Sequence, residues 1–184
     1  MNVLVIGGSK GLGHEVVKYL TPFANVVYMC RNKGEDLRAT WEHLDLAAPE
    51  EEIQRKVKDA IKIHLGNKLD ALVVSSGMGA YIKSVELTEA KMQKMMKVNF
   101  FGPVSVYKAV YRHLARSKGK ALFVSSSVAT NGARGLSIYA ATKGAINSWV
   151  LSEARSAAKL GYAVASFIPG RIVTGKQRLA FGAC

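Results

Sequence analysis

Short apolar runs alternate with longer segments of mixed polarity along the whole chain. Val, Ile and Leu dominate the short runs, and each run is nearly continuous, which is typical of a parallel β-strand covered on both faces. The pattern predicts six strands, at Asn2–Ile6, Asn25–Met29, Thr40–Leu44, Ala71–Val74, Ala121–Val124 and Ala163–Ile168.

Between these runs, apolar residues recur at the spacing of an α-helix. The predicted helices are Leu12–Leu20, Glu50–Leu65, Thr88–Phe100, Val104–Arg116 and Tyr139–Lys159. The link from Arg31 to Trp41 is short and contains Gly34, so it is expected to hold at most one helical turn. Strands alternating with helices predict right-handed βαβ units and one parallel sheet. We therefore expect a single α/β domain over residues 1–184.

Composition narrows the class of protein. The chain has 184 residues, of which 49% are hydrophobic, as expected of a packed domain. Its two cysteines, Cys30 and Cys184, offer no metal-binding spacing and no disulfide framework, so no metal site is expected. The chain opens on a strand without a leader, and no apolar run reaches the length of a membrane span, about 18 residues. These features predict a cytoplasmic protein without a membrane partner.

The charge is unusual. There are 26 Lys and Arg against 13 Asp and Glu, a formal net charge of +13. Such a surplus favours an anionic partner, whether a phosphorylated cofactor, an acidic carrier protein or nucleic acid. Few clusters join aromatic and basic residues, which argues against nucleic acid. The surplus could also serve solubility alone.

A glycine-rich turn joins the first strand to the first helix, with the sequence Gly7-Gly8-Ser9-Lys10-Gly11-Leu12-Gly13. Glycine permits a tight turn there and lets a pyrophosphate approach the backbone, where free N–H groups at the helix N-terminus face the anion. The turn has the context that a dinucleotide-binding site requires, since a strand precedes it and a helix follows. A Walker A loop does not fit, because Lys10 precedes Gly11 and His14 follows Gly13.

The residues after the second strand indicate which dinucleotide binds. An NAD site has an acidic residue about 20 positions after the glycines, which holds the ribose 2′-hydroxyl. This chain has Arg31 there, and no acid before Glu35. An arginine can bind a 2′-phosphate with paired N–H donors, and Lys10 adds a second positive charge. The pattern favours NADP(H), although both residues could be ordinary solvated bases.

Tyr139 and Lys143 stand four residues apart on a predicted helix, so their side chains share one face. A nearby ammonium lowers the pKa of a phenol and makes it a better acid–base catalyst near neutral pH. The run Ser125-Ser126-Ser127 ends the fifth strand, at the carboxyl edge where such sheets bind ligands. A serine there could donate a hydrogen bond to a carbonyl oxygen as that oxygen becomes negative.

Together these residues resemble the short-chain dehydrogenase/reductase family over almost the whole chain. The segment Ile6–Gly13 resembles the family's T-G-x-x-x-G-I-G loop, with Ile6 in place of Thr. The stretch from Gly119 to Tyr139 follows the family's G-x-I-V-x-I-S-S…Y spacing without a gap. This places the catalytic serine at Ser126, while Ser127 stays an alternative.

Four further segments carry the resemblance. Asp45-Leu46 resembles the family's adenine-side aspartate after the third strand, and Asn99 resembles its helix asparagine. Its N-N-A-G segment resembles Val74-Ser75-Ser76-Gly77, which departs from it at both asparagines. Its P-G-x-I-x-T segment, which flanks the nicotinamide, resembles Pro169-Gly170-Arg171-Ile172-Val173-Thr174. Within the family the pattern resembles the 3-oxoacyl-carrier-protein reductases.

The resemblance implies a Rossmann-type three-layer αβα sandwich, with six parallel strands in the order 3-2-1-4-5-6. It implies four catalytic residues. Tyr139 would protonate the carbonyl oxygen, and Lys143 would lower the tyrosine pKa and hold the ribose. Ser126 would polarise the substrate, and Asn99 would anchor a water. With the arguments from the residues, it implies cofactor contacts from Gly7, Ser9, Lys10, Gly11, Leu12, Gly13, Arg31, Asp45, Leu46, Ser76, Gly77, Tyr139, Lys143, Pro169, Gly170, Ile172 and Thr174.

Family members usually continue past the P-G-x-I-x-T segment into a helical lid, a further helix and a seventh strand. This sequence ends ten residues after Thr174, so we expect an open substrate side. An open site excludes water poorly, which weakens electrostatic catalysis. Either a large substrate covers the site itself, or a partner subunit closes it.

These expectations lead to two main hypotheses. The first is an NADPH-dependent reductase of a small-molecule carbonyl substrate, or an alcohol dehydrogenase if the reaction runs in reverse. The substrate could be carried on an acidic carrier protein. The second is a non-catalytic NADP-binding regulatory protein on the same fold. The family usually associates through the helices at Val104–Arg116 and Tyr139–Lys159, so a homo-dimer or homo-tetramer is expected.

Overall fold

Six parallel strands form one sheet in the order β3-β2-β1-β4-β5-β6. This computed structural model describes residues 1–170 and residue 172. The strands are β1 (Asn2–Ile6), β2 (Asn25–Cys30), β3 (Thr40–His43), β4 (Ala71–Val74), β5 (Lys120–Val124) and β6 (Ala163–Phe167). The order reverses between β1 and β4, so a crevice forms at the carboxyl edge where ligands bind in such sheets. The predicted fold class and strand order are confirmed.

The helices of the described chain are α1 (Gly11–Leu20), α2 (Glu50–His64), α3 (Glu89–Met96), α4 (Gly102–Ser117), α5 (Val128–Asn131) and α6 (Ser137–Lys159), with a 3₁₀ turn at Ser84–Glu86. Helix α3 begins after Thr88, because the Thr88 hydroxyl caps it by accepting a hydrogen bond from the Lys91 N–H. Within the described residues, no helix is both long and apolar enough to cross a membrane.

The predicted break between Phe100 and Val104 is wrong. A π-helical segment, Lys97–Phe101, joins α3 directly to α4. Pro103 lies in the first turn of α4 and lacks the N–H that would bond to the carbonyl of Asn99 four residues earlier. The wider π turn lets the helix pass this proline instead of ending before it. The short helix α5 was not predicted, since four residues show no helical period.

Two apolar clusters hold the sheet between its helices. On one face, β-strand residues such as Leu4 and Leu72 pack with buried residues of α2, α4 and α6. On the other face, Val3, Val5 and Tyr28 pack against Val17 of α1. This layered packing sets the strand ends that carry the candidate site.

The expectation that every strand is covered on both faces fails at β5 and β6. Leu122 is 37% exposed and Phe167 is 45% exposed, and they alternate with buried residues along their strands. Strand register places Leu122 beside Val73 of β4, on the face that α1 covers near β1 and β2. In the described chain α1 does not extend over β5 and β6, so their residues on this face stay exposed.

This difference predicts unequal effects for the same substitution on the two faces. Leu72→Ala, at a position only 1% exposed, should lower the free energy of unfolding by about 2–5 kcal/mol because it leaves a cavity. Leu122→Ala should lower it by less than about 1 kcal/mol, since the side chain is already partly hydrated. Urea unfolding of both variants measures the difference. Equal losses would show that the β5 face is covered in solution.

Candidate active site

The glycine-rich turn lies directly against the chain that follows β4. Gly7 has a φ of +93°, and a Cβ at this position would lie 2.5 Å from the Ser76 backbone nitrogen. A Cβ on Gly13 would collide with the carbonyl oxygen of Gly7. Only glycine fits both positions, so the turn stays tight and its backbone stays accessible to a ligand.

Helix α1 begins at this turn without a side-chain cap. Lys10 is the N-cap residue, and its ammonium has no acceptor that could cap the helix. The first turn has no acidic residue. Backbone N–H groups at a helix start normally need a partner. Gly11, Leu12 and Gly13 therefore present donors that suit a phosphate.

The loop after β2 folds back over the same turn. A Cβ on Gly34 would lie 3.3 Å from the Cα of Ser9. The Gly34 N–H donates a hydrogen bond of 3.2 Å to the Tyr28 hydroxyl. Nε2 of His14 lies 2.9 Å from the Glu35 carbonyl oxygen. Tyr28, Gly34 and His14 were missed by the sequence analysis, since only a folded loop reveals these contacts. They hold the loop that begins at the exposed Arg31 against the glycine-rich turn.

Two predicted cofactor residues lie after β3. The Asp45 carboxylate accepts a hydrogen bond of 2.9 Å from the Ala47 N–H and so closes its own turn. Leu46 is buried and touches Gly102 at the start of α4, where a Cβ would be blocked. Asp45 thus has a structural role, with its second carboxylate oxygen left for a ligand.

Lys143 is an ammonium placed in the protein interior. The residue is 4% exposed, and its Nζ donates a 2.8 Å hydrogen bond to the Val124 carbonyl at the end of β5. A Cβ on Gly77 would lie 3.4 Å from Nζ, so this glycine leaves the amine open on one side. Burial lowers the pKa of Lys143 from 10.5 to about 8.

Tyr139 lies one helical turn before Lys143, on the same face, with Nζ 5.9 Å from the centre of the ring. Burial raises the pKa of Tyr139, and the neighbouring Ser126 hydroxyl partly opposes this by hydrogen bonding. The phenol is therefore protonated at neutral pH, the form that can donate a proton.

The three serines after β5 differ in their contacts. The Ser125 hydroxyl is buried and donates to the Lys143 carbonyl at 3.3 Å. The Ser126 hydroxyl lies beside Tyr139 and accepts from the Val128 N–H at 3.3 Å. The Ser127 N–H donates to the Pro169 carbonyl at 2.9 Å, which brings Pro169 and Gly170 next to the serines. Ile172 is 38% exposed. Thr174 lies outside the described residues.

Asn99 lies in the π-helical segment and is only 1% exposed. Its side chain makes two 2.8 Å hydrogen bonds to Met78, accepting from the N–H and donating to the carbonyl. It also donates to the Thr142 hydroxyl on α6 at 3.0 Å. Met78 and Thr142 were missed, because neither stands at a motif position. Asn99 therefore fixes the loop that carries Ser76 and Gly77.

The geometry fits a dinucleotide. In the described chain the Ser76 hydroxyl is buried without a hydrogen-bond partner, and Lys143 uses one of its three N–H donors. Ser76 packs against Gly7, and the Lys143 amine lies beside Gly77, so these unused groups border the glycine-rich turn. Sheet order, turn and the Ser126–Tyr139–Lys143 group together define a Rossmann-type dinucleotide-binding fold with a polar site at its switch point.

Comparison with known proteins supports this fold assignment. The family model described as short chain dehydrogenase matches residues 1–181, so the chain belongs to that family, whose members use NAD(P)(H). Sorbitol-6-phosphate 2-dehydrogenase of Klebsiella pneumoniae is 30% identical in an alignment of 182 positions, gaps included, that covers 91% of this chain and 67% of that protein. The chain spans about half to two thirds of the length of the curated relatives it matches.

Solved structures show the same fold. A short chain dehydrogenase from Shigella flexneri complexed with NADP has a TM-score of 0.86 and 24% identity, over 98% of this chain and 81% of that one. A 4-hydroxyisoleucine dehydrogenase complexed with NADH has a TM-score of 0.85 and 22% identity, over 95% of this chain and 77% of that one.

The buried lysine predicts a pH-dependent stability. Below pH 8 the folded protein keeps Lys143 charged at a cost of about 3 kcal/mol, as its lowered pKa implies. Between pH 8 and 10.5 the unfolded chain binds more protons at this residue, so the free energy of unfolding rises with pH. Lys143→Met should therefore raise the free energy of unfolding at pH 7 by about 1–3 kcal/mol and lose that advantage by pH 10.5.

Urea unfolding across this pH range measures the effect. Lys159→Met, at an exposed position on the same helix, is the matched control and should change little at any pH. A Lys143→Met protein that is less stable than the wild type at pH 7 would contradict the predicted cost of burial.

Proposed function

We propose that this protein is an NADP(H)-dependent oxidoreductase that reduces a ketone to an alcohol. The observation that carries the proposal is the meeting of Ser126, Tyr139 and Lys143 at the carboxyl edge of β5. This group lies across the crevice from the uncapped start of α1. A cofactor that binds with its phosphates at α1 would extend towards the three residues.

Reduction of a ketone needs a hydride at carbon and a proton at oxygen. NADPH, when bound, would supply this hydride. The Tyr139 hydroxyl supplies the proton to the carbonyl oxygen, because burial keeps this phenol protonated at neutral pH. The phenolate that remains takes up a proton before the next reaction.

Ser126 supports the same oxygen. Its hydroxyl lies beside Tyr139, so both can donate to one carbonyl oxygen as negative charge develops there. The contacts of the neighbouring serines favour Ser126 for this role, because the Ser125 hydroxyl donates to the Lys143 carbonyl and Ser127 is the N-cap residue of α5.

Lys143 can act on both Tyr139 and the cofactor ribose. Below pH 8 its ammonium is charged, and its field stabilises the phenolate formed at Tyr139. Its two remaining N–H donors suit the ribose hydroxyls of the cofactor. Asn99 keeps the loop with Gly77 next to this amine, so it positions the cofactor side of the site.

The preference for NADP(H) rests on this chain's own residues. Arg31 follows β2 and is exposed, and the Gly34 contact folds its loop onto the glycine-rich turn. In the described chain Arg31 has no carboxylate within salt-bridge distance, so its guanidinium is available to a 2′-phosphate. Lys10 adds positive charge at the start of α1.

Tyr139→Phe separates a catalyst from a non-catalytic regulator. The variant should lose more than about 99% of NADPH-dependent ketone reduction, because the proton donor is absent. NADPH binding, followed by nicotinamide fluorescence, should change less than about threefold, since the ring stays in place. Thr130→Val, at an exposed hydroxyl of α5, is the control for general damage. NADPH binding without ketone reduction in the wild type would favour the regulatory protein, whereas reduction that survives in Tyr139→Phe would show that Tyr139 is not the proton donor.

Arg31→Asp tests the choice of cofactor. The exchange places a carboxylate where NADP carries its phosphate, so NADPH affinity should fall about 10- to 100-fold. NADH affinity should hold or improve, because the carboxylate can accept from a 2′-hydroxyl. Fluorescence titrations with both cofactors measure this. Arg155→Asp on α6 is the charge-matched control, and an equal loss there would assign the effect to net charge.

A further inference from the structure

The net positive charge of this protein comes from one half of its sequence. Residues 90–184 hold 15 of the 26 lysines and arginines but a single acidic residue, Glu153. Residues 1–89 hold the other 12 acids and 11 bases. The stretch from Ser125 to Lys143, which forms the catalytic side of the crevice, has no acidic residue at all. The field at this side is therefore positive, which favours an anion.

Two loops meet above this side of the crevice. One follows β4 and runs from Gly77 to Lys83, and the other runs from Gly132 to Leu136, ahead of α6. The Ile82 N–H donates to the Gly135 carbonyl at 2.8 Å, and the Tyr81 ring packs on Gly135, where a Cβ would collide with it. The two loops thus form one continuous rim.

The rim is tied to the catalytic residues at both ends. At one end Gly77 borders the Lys143 amine, and Met78 makes two hydrogen bonds with the Asn99 side chain. At the other end the chain leaves Ser126 through α5 and returns to Tyr139 at the start of α6. The rim is therefore continuous with the segments that carry Ser126 and Tyr139.

The rim carries two cations. Arg134 lies next to Gly135, is exposed, and has no carboxylate within salt-bridge distance in the described chain. Lys83 lies next to Ile82 and has an exposed partner, Glu86, with Nζ 3.8 Å from the carboxylate oxygen. Exposed pairs of this kind are weak, so Lys83 can exchange Glu86 for an anion that reaches the rim.

We propose that the substrate carries an anionic group, a phosphate or a carboxylate, which Arg134 binds while Lys83 strengthens the field. This inference rests on the proposed function, because it names the substrate class of the same site. A guanidinium suits either anion, since its paired N–H donors match two oxygens. On the proposed function the cofactor phosphates would bind at the start of α1 and beside Arg31, so they would leave this rim free.

The experiment uses the protein saturated with NADP⁺, which occupies the cofactor site and cannot reduce a ketone. Calorimetric titration compares two probes that differ in one phosphate, dihydroxyacetone phosphate and dihydroxyacetone. We expect the phosphorylated probe to bind at least about fivefold more tightly, the range of one partly exposed charge-assisted contact. Arg134→Ala should remove this advantage, and Lys83→Ala should reduce it.

The control variant is Arg155→Ala, which removes the same charge 16 residues beyond Tyr139, about 24 Å along α6. It should keep the full advantage of the phosphorylated probe. An advantage that survives in Arg134→Ala, an equal loss in Arg155→Ala, or no advantage in the wild type would overturn the inference. A separate NADPH titration of each sample keeps the proposed function distinguishable, because failure to bind NADPH would overturn that proposal instead.

Discussion

The hydrogen bonds of the Asn99 side chain connect the three segments that build the site. They join the π-helical turn before α4, the loop after β4 at Met78, and α6 at Thr142. With Asn99 buried, water cannot replace a lost partner, so breaking one bond leaves a buried polar group unsatisfied. This one carboxamide fixes Met78 and so helps to set the position of Gly77 beside Lys143 and the start of the rim.

A buried ammonium opposes the stability that this packing provides. Lys143 has one described acceptor, the Val124 carbonyl, and no carboxylate partner in the described chain, so the protein retains a charge that its interior disfavours. Burial acts oppositely on the neighbouring phenol, because it raises the pKa of Tyr139. A protonated acid and a cation are thereby held together at neutral pH, which is the state that proton donation to a carbonyl needs.

The sequence predicted the parts of the structure that depend on local pattern. Strand order follows from alternating elements and the family resemblance, and the shared face of Tyr139 and Lys143 follows from helical spacing. Contacts between distant segments could not be predicted in this way. The carboxamide of Asn99 bonds to Met78 across 21 residues, and nothing in the local pattern at Met78 signals that partner. The continuous helix through Pro103 was also missed, because a proline ordinarily indicates a helix start.

The departure from N-N-A-G after β4 has a physical explanation in the packing of the glycine-rich turn. A Cβ on Gly13 would lie 3.1 Å from the Cβ of Ser75, so a small side chain suits this position. Ser76 is different, because its hydroxyl is buried without a partner in the described chain, at a recess that Lys143 and Asn99 also line. Leaving such a hydroxyl unpaired costs about 1–3 kcal/mol. Natural proteins retain such groups where a ligand completes them. The unused hydroxyl and Lys143 line the same recess, which is too narrow to hold a water, so a ligand hydroxyl would pair with them only after the neighbouring side chains shift.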